Sequence, residues 1–241
     1  MAIYTSKTRI DLEDVCYSNK ITNKAILKIL ENAGARQSET IHFGLNDMEN
    51  VGFSWILLGW KVKILKRPIY NEELTINTWG RDSNRIFTYR DYEIYDESGE
   101  LCTIATSKWA IVDINTGKLR ELTPEIIEKY QCETKKVFEE DYTLKLKEPV
   151  TIIRKQEYKA QRRDIDINKH IHNLYYLDYA YEVLPEEVYE APECNNIEIM
   201  YKKQIRLNDE FKCLYTKEEN QNIVTMKSED ENTLHAIIKL Y

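Results

Sequence analysis

Alternating apolar and polar residues in the first half of the chain predict strands that are buried on one face. Trp60, Val62 and Ile64 alternate with lysines, which is the period of two that a half-buried strand shows. The DESG segment at 96–99 predicts a tight turn, so the runs on either side of it should form a hairpin. Further strands of the same kind are predicted at 74–79, 85–95 and 101–112.

One helix is predicted ahead of these strands, at residues 22–33. Its apolar residues recur at the spacing of one helix face. Thr22 or Asn23 can cap its first turn, and Gly34 is predicted to end it.

The second half of the chain repeats this order of elements. A strand-like segment at 157–163 leads into a predicted helix at 172–184, which Pro185 ends. Strands then follow at 197–207, 210–216, 222–227 and 234–240. Each half therefore holds one long helix and a meander of antiparallel strands, which predicts an α+β fold.

An internal duplication explains the repeated order better than chance does. An offset of 150 residues brings Ile21 onto Ile171 at the two helix starts, and residues 70–74 resemble residues 207–211 at a shorter offset. We therefore expect an N-terminal domain at 1–122, a charged surface connector at 123–149 and a C-terminal domain at 150–241. A short helix is predicted at 125–130 within the connector.

Composition and charge exclude several classes of protein. The net charge of −7 argues against general nucleic-acid binding, and no apolar run is long enough to span a membrane. The first ten residues lack the apolar core of a secretory signal. The five cysteines are scattered and form no CxxC pair, which predicts free thiols in a reducing compartment and a cytoplasmic protein.

A polar trio directly before the second helix is the candidate site. Asp166, Asn168 and His170 alternate, so in an extended segment their side chains would share one face. The offset of 150 residues places Cys16, Ser18 and Lys20 at the corresponding positions, so the first half lacks the trio. Ordinary capping and loop roles are the alternative interpretation of such residues.

The trio suits hydrolysis of an activated acyl group. A carboxylate or an imidazole can deprotonate water, an amide can orient it, and N–H groups at a helix start can stabilise an oxyanion. No cofactor and no metal are required. His170 and His172 form an HxH pair, but no third ligand is evident in the sequence.

Several motifs resemble those of the acyl-acyl carrier protein (acyl-ACP) thioesterase family. The segment 164–173 (DIDINKHIHN) is similar to the family pattern D-L-D-x-N-x-H-x-N-N. The segments 90–92 (RDY) and 106–113 (TSKWAIVD) resemble its R-D-F and T-S-x-W-x-x-x-D stretches, and 197–203 (IEIMYKK) resembles L-E-I-x-Y-x-K. The resemblance covers nearly the whole chain, and the short length without a transit peptide indicates the bacterial branch.

This resemblance implies a tandem double hot-dog fold, in which each antiparallel sheet wraps around a long central helix. It also implies hydrolysis of the thioester between a fatty acyl chain and the phosphopantetheine arm of acyl carrier protein. Asp166, Asn168 and His170 are the site residues that the motif match carries over.

The chain departs from the family pattern near the site. His172 replaces the first Asn of the closing pair, which we regard as minor. Gln204 stands where the family commonly has a glutamate, and Ile205 stands where plant members have a cysteine. Because glutamine cannot accept a proton as a base, the basic role should fall to Asp166, or less readily to His170, with Gln204 orienting water.

Other functions remain open at this point. Hydratases of this fold resemble D-x-N-P-x-H, with four residues between Asp and His, whereas three separate Asp166 from His170. An acyl-CoA thioesterase and a weakly active or non-catalytic acyl-binding protein remain as alternatives, and the assembly is either a monomer or a homodimer. Lysines and arginines that could receive an acidic carrier protein lie at Arg162, Arg163, Lys169, Lys202 and Lys203.

Overall fold

The chain folds into two compact units, Met1–Tyr142 and Thr143–Tyr241. This computed structural model describes residues 3–81, 84–140, 145–189 and 194–241. No helix among these residues is long and apolar enough to cross a membrane.

The first unit is an antiparallel sheet with the strand order β1-β3-β4-β5-β2. A two-residue strand, β6, pairs with the end of β5 beyond the part that β4 covers. The predicted hairpin around 96–99 is confirmed, because Asp96 accepts the backbone N–H groups of Ser98 and Glu100 and closes the turn. The strands are β1 Tyr4–Arg9, β2 Phe53–Ile64, β3 Glu73–Gly80, β4 Thr88–Tyr95, β5 Leu101–Asp113 and β6 Leu119–Arg120.

Helix α1 (Asn23–Thr40) packs on this sheet. Its N-cap is Thr22, one of the two cap candidates predicted from the sequence, and the Thr22 hydroxyl accepts the N–H of Ala25. The prediction that Gly34 ends the helix is wrong, since the helix continues to Thr40. A Cβ at Gly34 would lie 2.9 Å from the Tyr92 hydroxyl, so the glycine allows close packing in mid-helix.

The remaining helices of the first unit are short. Helix α2 is Met48–Val51, and helix α3 is Pro124–Tyr130, close to the predicted 125–130. Beyond α3, the chain crosses the outer side of the sheet, where the N–H of Val137 donates to the carboxylate of buried Asp91. The predicted connector also includes residues 141–144, which lie outside the described residues.

The second unit is an antiparallel sheet with the order β8-β11-β10-β9-β7, and helix α4 packs on three of its strands. Helix α4 ends before Pro185 as predicted, but it begins at Tyr175 rather than at residue 172. The elements are β7 Arg154–Lys159, α4 Tyr175–Val183, α5 Glu186–Tyr189, β8 Asn196–Tyr201, β9 Glu210–Glu218, β10 Gln221–Ser228 and β11 Leu234–Leu240.

Two strand boundaries in the second unit differ from the prediction. Strand β7 stops at Lys159, and residues 162–164 form a 3-10 turn instead of continuing the strand to 163. Strand β8 stops at Tyr201 rather than at 207, because the following residues turn towards the segment before α4.

The two units repeat each other in detail. Ile10 donates its N–H to the carbonyl of Glu72, and Ala160 donates to that of Asp209. Asn71 and Asn208 both have left-handed backbone, with φ of 68° and 70°. Asn71 and Glu72, like Asn208 and Asp209, lie in the segments 70–74 and 207–211 that the sequence comparison aligned.

Candidate active site

The segment 166–170 of the second unit forms a tight turn. Asp166 donates its N–H to the carbonyl of His170 at 2.8 Å, and its own carbonyl accepts the N–H of Lys169 at 3.0 Å. An antiparallel bridge between Ile165 and Ile171 forms the base of the turn. Lys169 adopts left-handed backbone with φ of 64°, which lets the chain reverse.

The carboxylate of Asp166 lies inside this turn. Its Oδ1 accepts the backbone N–H of Asn168 at 2.8 Å and that of His170 at 3.3 Å. Its Oδ2 receives only a long contact of 3.4 Å from the Asn168 side-chain amide. One carboxylate oxygen is therefore fixed by the backbone, and the other is the better placed to accept from a substrate or a water molecule.

The structure brings Asp166 and Asn168 together in a tight turn, not on one face of an extended segment as predicted. The prediction of an extended segment is wrong, because the turn reverses the chain between Asp166 and His170. A short acidic side chain that accepts N–H groups two residues on stabilises such a turn. Asn168 is exposed, whereas Asp166 and His170 are half-buried.

His170 lies beside Asp166 in a partly desolvated position. Burial lowers the pKa of His170 below its ordinary value of 6.5; Asp166 opposes this shift and Arg206 adds to it. The imidazole is therefore neutral at pH 7. A neutral imidazole can accept a proton through one nitrogen and donate a hydrogen bond through the other.

Gln204 lies on a segment that runs antiparallel to the residues after the turn. His170 and Arg206 form a bridge, and Ile171 donates its N–H to the carbonyl of Ile205 at 2.8 Å. The side chain of Gln204 is exposed. Within the described part of the chain, no hydrogen bond joins this side chain to Asp166, Asn168 or His170, so the structure brings Gln204 close through the backbone only.

At the start of helix α4, two backbone N–H groups that we expected to be available to a substrate are already hydrogen-bonded within the protein. The ring Nδ1 of His172 accepts the N–H of Leu174 at 3.2 Å, and its carbonyl accepts the N–H of Tyr175 at 2.9 Å. These two N–H groups are occupied, so the prediction that they face a developing oxyanion is wrong for them. His172 has a structural role that the sequence did not indicate.

The sequence reasoning also missed Asp164, two residues before Asp166. Asp164 is 4% exposed, and its carboxylate accepts the N–H of Gln161 at 2.7 Å. Its carbonyl accepts the N–H of His172. The offset of 150 residues places Asp14 at the same position, and a carboxylate shared by both halves was a signal available in the sequence.

Among the described residues, no three or more His, Cys, Asp or Glu side chains are grouped so that they could hold a metal ion. The five cysteines, all within the described ranges, are free thiols.

Two family profiles match most of the chain. The profile of the acyl-ACP thioesterase N-terminal domain matches residues 2–130, and that of the C-terminal domain matches residues 147–239.

Curated plant proteins align with almost the whole chain at low identity. An oleoyl-acyl carrier protein thioesterase from Arabidopsis thaliana is 24% identical over 92% of this chain and 65% of its own length. A second Arabidopsis protein of that name is 24% identical over 88% of this chain and 63% of its own. The chain thus spans slightly less than two thirds of these relatives.

Solved structures show the same fold. An acyl-ACP thioesterase from Bacteroides thetaiotaomicron superposes with a TM-score of 0.86 at 23% identity, covering 99% of this chain and 97% of the other. A 12:0-ACP thioesterase from Umbellularia californica gives 0.84 at 16% identity, covering 100% and 96%. The predicted α+β tandem hot-dog fold is confirmed by these superpositions. With two profiles that together span most of the sequence, the chain belongs to the acyl-ACP thioesterase family.

Proposed function

We propose that this protein hydrolyses the thioester of a fatty acyl chain carried by acyl carrier protein, and that it acts in the cytoplasm. Membership of the family supports the reaction class, and the names of the plant relatives support the carrier-linked substrate. The observation that carries the proposal is the turn at Asp166, where a half-buried carboxylate, an amide and a neutral imidazole lie on one short segment.

In the proposed reaction, Asp166 is the general base. Its Oδ2 takes a proton from water as the water oxygen attacks the thioester carbonyl. The tetrahedral intermediate then expels the phosphopantetheine sulfur, and the proton on Asp166 passes to that sulfur. The products are a free fatty acid and the carrier thiol, and Asp166 returns to its ionised form.

Three further residues have proposed roles beside Asp166. Neutral His170 donates a hydrogen bond to the thioester carbonyl oxygen, where negative charge develops. Asn168 orients the water through its side-chain amide. Gln204 orients the same water from the neighbouring segment, since an amide can both donate and accept.

A basic rim around the turn supports an anionic carrier of the acyl chain, which fits the acyl carrier protein that the family implies. We define the rim as six exposed cationic residues: Arg162, Arg163, Lys169, Lys202, Lys203 and Arg206. In the first unit the positions that match Arg162 and Arg163 hold Leu12 and Glu13, so these two cations are specific to the unit with the trio. A basic rim fits an acidic protein partner despite the net charge of −7.

The domain organisation is part of this proposal. It comprises an N-terminal domain at 1–122 without the trio, a connector at 123–149 and a C-terminal domain at 150–241 with the working site.

The experiment is to measure free fatty acid released from matched acyl-carrier and acyl-CoA substrates by the wild-type protein. We expect faster release from the carrier, with release from both lost in the Asp166→Asn variant. Release from acyl-CoA alone would make the protein a coenzyme A thioesterase. Binding of acyl carrier without release would make it an acyl-binding protein.

The rim is tested by replacing Lys202, Lys203 and Arg206 with glutamine. Because the rim contacts the carrier and not the thioester, KM for the acyl carrier should rise while kcat on a short acyl-pantetheine substrate stays unchanged. Lys217→Gln, at an exposed lysine on strand β9, is the matched control. An unchanged KM for the carrier would contradict this docking site.

A further inference from the structure

A buried carboxylate outside the trio connects the turn to helix α4. The Oδ2 atom of Asp164 accepts the Tyr179 hydroxyl at 2.6 Å in addition to the N–H of Gln161 at 2.7 Å. The carbonyl of Asp164 accepts the N–H of His172. This one residue thus ties together the 3-10 turn before the site, the residue after the site and the helix.

The tyrosine that binds Asp164 is held rigidly. The Tyr179 ring packs edge-on against the rings of Tyr158 and Phe211, with both centroid distances at 4.9 Å. Those two rings lie on strands β7 and β9. Burial raises the pKa of Tyr179, so its hydroxyl remains a neutral donor throughout the physiological range.

The first unit has the same backbone arrangement with a different anchor. Asp14 accepts the N–H of Asp11 at 3.1 Å, and its carbonyl accepts the N–H of Thr22 at 2.9 Å. Its carboxylate is bound by Lys28 at 2.5 Å, and Lys28 also contacts exposed Glu13. A lysine is a point charge on a flexible stem, whereas Tyr179 is a phenol fixed between two rings.

The geometry points to Tyr179 and Asp164 as positioning residues for Asp166, on the basis of the function proposed above. Asp164 and His172 pair next to the Ile165–Ile171 bridge, at the base of the turn that holds the carboxylate of Asp166. Fixing Asp164 against the α4 helix and two strands keeps this turn in one orientation. Supporting residues of this kind let a reacting group be held to within a fraction of an ångström.

The test compares variants that remove each anchor. Tyr179→Phe removes only the hydroxyl, and we expect kcat to fall about 10- to 100-fold, as for other supporting contacts, with KM for the acyl carrier within about twofold. Asp164→Ala should show the same loss. Asp164→Asn should restore most of kcat, because both hydrogen bonds end on a single oxygen that the amide carbonyl can replace.

The matched control is Lys28→Met, which removes the anchor of Asp14 in the unit without the trio. It should lower the melting temperature about as much as Tyr179→Phe does while leaving kcat unchanged. Equal loss of kcat in both variants would reduce the role of Tyr179 to general stability and overturn the inference.

A second measurement does not depend on turnover. Hydrogen exchange at the N–H groups of Asn168 and His170, which bind the Asp166 carboxylate, should be faster in Tyr179→Phe than in the wild type. Unchanged exchange would overturn the positioning role even if the wild-type protein proved inactive. Inactivity of the wild type with faster exchange would instead refute only the proposed function.

Discussion

Two turns with the same backbone carry different side chains in the two units. Cys16 and Lys20 repeat the pairing of Asp166 and His170, with the N–H of Cys16 donating to the carbonyl of Lys20 at 2.9 Å. Asn19 has φ of 60°, close to that of Lys169. In the first turn, the thiol of Cys16 contacts the Ser18 hydroxyl at 3.1 Å where the second turn has a carboxylate.

This comparison separates what the fold requires from what the proposed chemistry would require. The backbone turn persists without the trio, so the side chains of Asp166, Asn168 and His170 are not needed to form it. A role in forming the turn therefore does not explain why these three residue types occur in the second unit, because the first unit forms the same turn without them. Residues at equivalent positions also provide a control for each substitution at the site.

Exchanging the side chains of the turns should have the largest effect. In the triple variant Asp166→Cys, Asn168→Ser and His170→Lys, turnover should fall by about a thousandfold, in the range that a lost general base accounts for. Because the first turn already accommodates those residues, the melting temperature should stay within about 4 °C of the wild type. Kinetics and thermal unfolding check both values.

The reciprocal variant is the control for that exchange. Cys16→Asp, Ser18→Asn and Lys20→His in the first turn should leave turnover at the wild-type level. A comparable loss of turnover from this exchange would contradict the assignment of the site to the second unit.

Disturbing the backbone of each turn should have the next largest effect. Lys169→Ile places a β-branched residue at positive φ, where such side chains are more strongly disfavoured than lysine, so stability should fall. Since the N–H groups that hold Asp166 lie in this turn, kcat should also fall, by about ten- to a hundredfold. Asn19→Ile should lower stability at least as much, because Asn tolerates positive φ better than Lys, and should leave kcat unchanged, as chemical denaturation and steady-state kinetics will show.

Gln204→Glu restores the glutamate that the family commonly has at this position, and it tests what the amide of Gln204 contributes. A carboxylate here can orient water and can also accept a proton, so kcat should stay the same or rise by up to about tenfold. Initial rates with the acyl carrier measure this change. A folded but inactive variant would instead show that the amide is specifically needed.

The pH dependence of stability should show the smallest effect. Burial lowers the pKa of His170 and of His235, so the folded state holds fewer protons on these rings than the unfolded state does near pH 6. The contribution of the two neutral rings to the free energy of unfolding is complete above pH 6.5, the ordinary pKa of histidine. It is lost as the pH falls through the lowered pKa of each ring in the folded state. Denaturation midpoints should therefore fall as the pH is lowered from about 7.5 to about 5.5.

The control for this effect is His170→Asn, in which the decline should be shallower than in the wild type. An equally steep decline would show that His170 does not contribute to it.

The sequence predicted most of the regular elements because their apolar periodicity is local. It missed strand β1, whose residues (YTSKTR) include only one apolar side chain and whose strand identity comes from pairing with distant β3. It also ended α1 at Gly34, since the sequence does not show that Arg90 and Tyr92 pack closely there. Such contacts are set by tertiary structure rather than by local pattern.

The residues of the candidate site could be proposed from the sequence, but their geometry could not. Asp166, Asn168 and His170 were found from their spacing, their absence in the first half and the motif resemblance. The reversal at Lys169 was not evident, because a lysine seldom adopts positive φ. The anchor from Tyr179 to Asp164 spans 15 residues and depends on how α4 packs, so no local sequence pattern indicates it.

The central claim is that Asp166 is the base of a thioesterase site found in the second unit. Its most direct test is fatty acid release from an acyl carrier by Asp166→Asn beside Cys16→Ser, with thermal unfolding of both. We expect Asp166→Asn to lose turnover while remaining folded, and Cys16→Ser to keep wild-type turnover. Wild-type turnover in the Asp166→Asn variant would exclude Asp166 as the base.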